Sequence, residues 1–108
     1  MLRVRLATCL VAAAGCATTG PASAADTPPT RTVTIEGMKF TPQTVTLHAG
    51  ERVSWINKDL FPHTATGTGF DSRAIASGAS WTLVAPKRGQ YPYACALHPG
   101  MSGILIVE

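Results

Sequence analysis

From Arg31 onward, apolar and polar residues alternate with a period of two, not 3.6. Thr32-Val33-Thr34-Ile35, Thr44-Val45-Thr46-Leu47-His48, Arg52-Val53-Ser54-Trp55-Ile56-Asn57 and Ser80-Trp81-Thr82-Leu83-Val84 each put every second side chain on one face. Gln90-Tyr91-Pro92-Tyr93-Ala94 predicts a further strand, and Gly103-Ile104-Leu105-Ile106-Val107 predicts a short apolar strand closing the domain. Gly37, Pro42, Gly50, Gly67, Gly69, Gly78, Pro86 and Gly89 interrupt these runs at short spacing. No stretch carries a convincing helical period, and there is no internal repeat. Short strands between frequent turns predict an all-β fold, a Greek-key β-sandwich. Trp55 and Trp81 fall at inward positions and are expected in the core, whereas His48, one residue past the inward Leu47, is expected to face water.

The segment before Arg31 has a different character. Arg3 and Arg5 precede a brief apolar run, Leu6 to Ala14, which is too short to span a bilayer. Ala22-Ser23-Ala24 then supplies the small-x-small pattern that a signal peptidase accepts. Residues 1–24 are therefore expected to be an export signal, 25–30 a disordered N-terminal segment and 31–108 the folded domain. Ala13-Ala14-Gly15-Cys16 offers an alternative, because it resembles a lipobox in which Cys16 would carry a lipid. Under that reading the domain is a membrane-anchored lipoprotein on a flexible tether; otherwise it is soluble in the periplasm. Both place it outside the cytoplasm.

Processing changes the charge. The whole chain has nine Lys and Arg against six Asp and Glu, a formal +3. Loss of Arg3 and Arg5 leaves seven against six, so the alkaline pI of about 9.0 owes much to the leader. No basic run or aromatic-basic interleaving suggests a nucleic-acid partner. Cysteine usage is more informative. Cys9 and Cys16 lie in the leader, leaving Cys95 alone in an oxidising compartment with no partner for an internal disulfide.

An inert, buried Cys95 acting as a small hydrophobe is the plain alternative, but its neighbours at +3 and +6 are His98 and Met101. With His63 upstream they make one thiolate, two imidazoles and one thioether, the ligand set of a blue-copper electron-transfer site. Sulfur donors favour Cu(I) and imidazoles are good ligands for Cu(II), so such a site holds the metal in either state with little rearrangement. In a sandwich, His63 would lie in the loop after the Trp55 strand, and the other three in the tight turn before the last strand. Pro62 and Pro99 restrict the backbone beside the two imidazoles.

From Arg31 to Glu108 the chain resembles small type 1 copper proteins of the plastocyanin and azurin superfamily, and within it the amicyanins. The likeness lies in Met38-Lys39-Phe40-Thr41-Pro42, Val53-Ser54-Trp55-Ile56-Asn57, Pro62-His63, Tyr91-Pro92-Tyr93-Ala94-Cys95 and the short Cys-x-x-His-x-x-Met turn. The resemblance implies one copper ion with His63, Cys95 and His98 as equatorial ligands and Met101 as the weak axial one, and electron transfer through a surface-reaching His98. It also implies a docking patch of Met38, Leu60, Phe61, Pro62, Leu97 and Pro99 around that histidine, and a monomer serving redox proteins such as a c-type cytochrome and a periplasmic dehydrogenase. Thr64 departs from the family pattern, which has Asn after the first ligand His. Its hydroxyl is expected to supply one hydrogen bond near the sulfur, and Asn57 to take part of the Asn's role. The stretch from Gly67 to Gly78, containing Phe70-Asp71-Ser72-Arg73, also departs from amicyanins.

Two other functions use the same residues. A periplasmic copper carrier or buffer would keep the ligands for storage, although such proteins favour Met-rich or His-rich exposed tracts. An enzyme would need further metal centres, or a third group orienting a Cys-His pair, and the sequence offers neither. The expectation is an electron carrier, not an enzyme.

Overall fold

The computed structural model describes residues 28–108 together with Gly15. The export signal, the lipidation alternative at Cys16 and residues 25–27 lie outside the described residues. Nine strands follow: β1 (Thr30–Glu36), β2 (Lys39–Thr41), β3 (Thr44–Leu47), β4 (Arg52–Asn57), β5 (Thr66–Gly67), β6 (Phe70–Asp71), β7 (Ser80–Val84), β8 (Gly89–Ala94) and β9 (Ser102–Val107). No helix occurs among the described residues. β1 starts at Thr30, and Pro29 O accepts from Arg52 N, so order begins slightly ahead of Arg31.

The strands form two sheets, β2-β1-β4-β7 and β3-β9-β8-β5-β6. Two parallel pairings, β1 with β4 and β3 with β9, sit among antiparallel ones. The chain changes sheet between β2 and β3, β3 and β4, β4 and β5, β6 and β7, and β7 and β8, giving the expected sandwich. Alternation explains which faces meet: Val33 and Ile35, Val45 and Leu47, Val53 and Trp55, and Leu105 and Val107 are all buried while their neighbours point outward. Tyr93 wedges edge-on between Phe40 (centroids 4.7 Å) and Trp55 (5.3 Å) at the centre.

One detail differs from expectation, and one segment gains a structure. Trp81 pairs with Trp55 across β4 and β7, but β7 is an edge strand, so Trp81 packs against the core only half-buried. Within Gly67 to Gly78, to which the sequence assigned no element, β5 and β6 make a tight hairpin through Thr68-Gly69 that extends the second sheet.

Candidate metal centre

β4 ends at Asn57, whose fully buried amide organises the loop that follows. Asn57 Nδ2 donates to Phe61 O and Ile75 O, both at 2.9 Å, and Asn57 Oδ1 accepts from Asp59 N at 2.9 Å. The turn delivers His63 into an isolated antiparallel bridge with Ile75. Asn57 therefore braces the His63 loop and makes no hydrogen bond to the Cys95 sulfur, which is not the role expected for it.

The His63 imidazole is fully buried, and its two nitrogens have different partners. Nε2 lies 2.7 Å from Asp59 Oδ2, while Nδ1 lies 3.7 Å from Cys95 Sγ. A carboxylate accepts, so the proton belongs on Nε2 and the Nδ1 lone pair faces the sulfur. Asp59 is held in turn by the β1–β2 turn: Gly37 N donates to Oδ1 (2.8 Å) and Met38 N to Oδ2 (3.2 Å). Gly37 and Met38 both have positive φ, 62° and 63°, which turns their two amides toward one anion. The Gly37 amide, above all, holds the Asp59 carboxyl below its ordinary range; the Met38 amide and His63 act the same way, and desolvation opposes them. Asp59 was not anticipated, although a carboxylate four residues before a candidate ligand His is a usable signal.

Cys95 follows β8 and is buried. Its amide donates to Met101 O (2.9 Å), and Met101 N to His98 O (3.4 Å), closing the turn. Thr64 ties this turn to the His63 loop, but not as expected: its backbone N–H, not its hydroxyl, donates to Cys95 Sγ (3.3 Å), and its Oγ1 accepts from Ala96 N (2.8 Å). The His98 ring is half-buried with Nε2 3.2 Å from Pro62 O, leaving Nδ1 for a ligand. Burial raises the Tyr93 phenol to about 12 against a weaker opposing influence from the Trp55 indole, although neither group makes a hydrogen bond of normal geometry.

One nitrogen each from His63 and His98 and the Cys95 sulfur all lie within 4.8 Å of one another. Donors bound about 2.0–2.3 Å from one ion lie no more than about 4.6 Å apart. The 3.7 Å between sulfur and Nδ1 fits within that. Met101 is buried in the same turn, and its thioether would add to one thiolate and two imidazoles to make a mixture suited to copper. His48 is remote from this cluster, exposed and bonded to Glu51 (3.0 Å), as its position predicts.

Residues 6–107 match the family model for a cupredoxin-like domain. The chain belongs to the cupredoxin family. It is 33% identical over 96 residues to amicyanin of Paracoccus versutus, covering 82% of this chain and 73% of that one. It is 36% identical over 84 residues to chloroplastic plastocyanin of Tetradesmus obliquus, covering 64% and 58%. A solved oxidised amicyanin variant superposes with a TM-score of 0.69 at 28% identity over 81% of this chain and 88% of that one. A copper-containing nitrite reductase from Thermus scotoductus gives the same TM-score at 27% identity, but over only 23% of its own length. This cupredoxin is of the type 1 blue copper kind and most like amicyanins, and its cofactor is a single copper ion.

Proposed function

We propose that this cupredoxin passes single electrons between exported redox proteins, with His63, Cys95, His98 and Met101 as the ligands of its copper. The convergence of the first three at one end of a rigid sandwich, one imidazole half-open to solvent, carries the reading. Copper, when bound, supplies a one-electron couple that this donor set suits in both states. The chain's own task is to keep the donors still. Asp59 fixes the His63 ring, Thr64 N and the Met101 carbonyl fix Cys95, and Pro62 O steadies His98.

The surface around His98 supports weak docking. Leu60 is 92% exposed, and Met38, Phe61 and Leu97 are also exposed. The Phe61 ring stands 5.2 Å from His63 and 5.4 Å from His98, so an apolar side chain covers both imidazoles. Contacts of this kind exclude water and bring a partner's cofactor close without holding it. We infer a c-type cytochrome and a periplasmic dehydrogenase as the classes of partner, residues 31–108 as the working unit after export, and carriage of electrons instead of catalysis.

The test is a visible and electron paramagnetic resonance spectrum of the purified protein with one equivalent of Cu(II), repeated after ascorbate and after reoxidation. An intense thiolate-to-copper band that bleaches and returns supports the carrier. A pale tetragonal spectrum, or Cu(I) retained without reversible colour, points to copper storage. Leu97→Lys should leave that spectrum intact and slow electron exchange with partner proteins; unchanged rates with every partner would remove Leu97 from the docking surface.

A further inference from the structure

The β5–β6 hairpin contributes none of the proposed ligands, yet it is fastened to the loop just past His63. Ser72 N donates to Ala65 O (3.0 Å), and Ser72 Oγ accepts from Ala65 N (2.8 Å). Asp71 Oδ1 accepts from the Thr66 hydroxyl (3.1 Å) and from Arg73 N (2.8 Å). Thr66 Oγ1 lies 2.9 Å from Thr64 Oγ1, which itself accepts from the amide of Ala96, the residue after Cys95.

The direction of this chain is fixed by proton counting. A hydroxyl has one proton, and an ionised carboxylate can only accept. Thr66 therefore donates to Asp71, and its oxygen accepts from Thr64. The Thr64 proton points toward Thr66 and away from the sulfur, leaving Thr64 lone pairs for the Ala96 amide. Donation runs one way, from Ala96 N–H through Thr64 and Thr66 to Asp71. Each bond polarises the next, so a charged terminus strengthens the far end.

We propose that Asp71 is a positioning residue for the copper thiolate, holding the Ala96 amide, and with it the Cys95 turn, through the hydroxyls of Thr66 and Thr64. A hydroxyl at position 64 has a single proton where the amide of Asn has two. Here a carboxylate from the β5–β6 hairpin orients that proton and completes the tie between the ligand loops. The effect on copper rests on the ligand assignment above, whereas the effect on the Ala96 amide does not.

The experiment is amide hydrogen exchange by nuclear magnetic resonance on metal-free and Cu(I) protein, with the potential and visible spectrum of the copper form. Thr66→Val keeps the Asp71 charge and breaks the chain, Asp71→Ala removes its terminus, and Asp71→Asn keeps an acceptor oxygen without charge. Thr66→Val and Asp71→Ala are each expected to speed Ala96 exchange about tenfold, leaving Leu105 exchange unchanged, and to shift both the thiolate band and the potential. Asp71→Asn should stay within about threefold of wild type, since a neutral acceptor still ends the chain. Thr64→Asn placed in Asp71→Ala should restore Ala96 protection, because its own carbonyl can accept that amide. Unchanged Ala96 exchange in Thr66→Val and Asp71→Ala overturns the proposal, as does an Asp71→Asn effect equal to that of Asp71→Ala. Faster Ala96 exchange in these variants, with no blue band even in wild type, supports the chain while overturning the electron-carrier reading.

Discussion

Asp59 joins three parts of the copper end through two oxygens: Oδ1 takes the Gly37 amide, while Oδ2 takes the Met38 amide and the His63 ring. All three neighbours donate, so both oxygens must accept. On the proposed ligand set, Asp59→Ala is expected to weaken copper binding about 10–100-fold, the usual cost of losing a carboxylate behind a metal-bound imidazole. Its reduction potential should rise, because a lost negative charge destabilises Cu(II) more than Cu(I). Asp59→Asn should be no milder, since its NH2 would have to face a donor. Competition titration against a chelator measures this, and wild-type affinity in both variants would remove Asp59 from the site. Asn57→Ala strips partners from Phe61 O, Ile75 O and Asp59 N, and should cost about 2–3 kcal/mol in denaturant unfolding. Cys95, His63, His98 and Met101 stand out as proposed ligands in sequence because donor chemistry resides in residue type, and the structure brings the first three together. Sequence could not show what Asp59 and Asn57 do, because those roles exist only once the loop between β4 and His63 has its shape.

At the scale of elements, period two was legible wherever one face of a strand is buried for four residues or more, as in β3, β4 and β9. β2, β5 and β6 have three, two and two residues, too few for alternation to register, so the hairpin presenting Asp71 was invisible. Register explains one glycine that sequence read only as the start of a strand. Gly103 stands opposite Tyr93 in the β8–β9 ladder, and a Cβ there would lie 2.5 Å from both Tyr93 Cζ and its hydroxyl oxygen. Phe40 and Trp55 pin that ring on two sides, so it has no room to retreat. Gly103→Ala should therefore destabilise the domain by about 1–3 kcal/mol. Adding Tyr93→Phe should recover only the part due to the hydroxyl, because the clash with ring Cζ persists. Equal chemical-denaturation midpoints for wild type and Gly103→Ala would mean the ring is freer than its packing indicates.

For the whole molecule, the two ligand loops belong to different sheets. His63 follows β4 of the four-stranded sheet, whereas Cys95, His98 and Met101 follow β8 of the five-stranded one. On the proposed ligand set, bound copper joins the two sheets at one end of the sandwich, and Thr64 is the principal protein-only tie beside it. An ion that binds the folded chain alone stabilises it by about 2.7 kcal/mol when present at a hundredfold excess over its dissociation constant. In a domain of this size each kcal/mol moves the melting temperature by about 4–8 °C. Chelating the copper should therefore lower that temperature by at least about 10 °C. Cys95→Ser separates ion from scaffold: with the thiolate gone, the copper-treated variant should melt near the metal-free protein, and a chelator should change it little. Calorimetry of both proteins with and without chelator reads this directly. Equal melting temperatures for loaded and metal-free wild type would show that the sheets are held together without the ion, placing the rigidity that electron transfer needs in Asp59, Thr64 and the Asn57 loop alone.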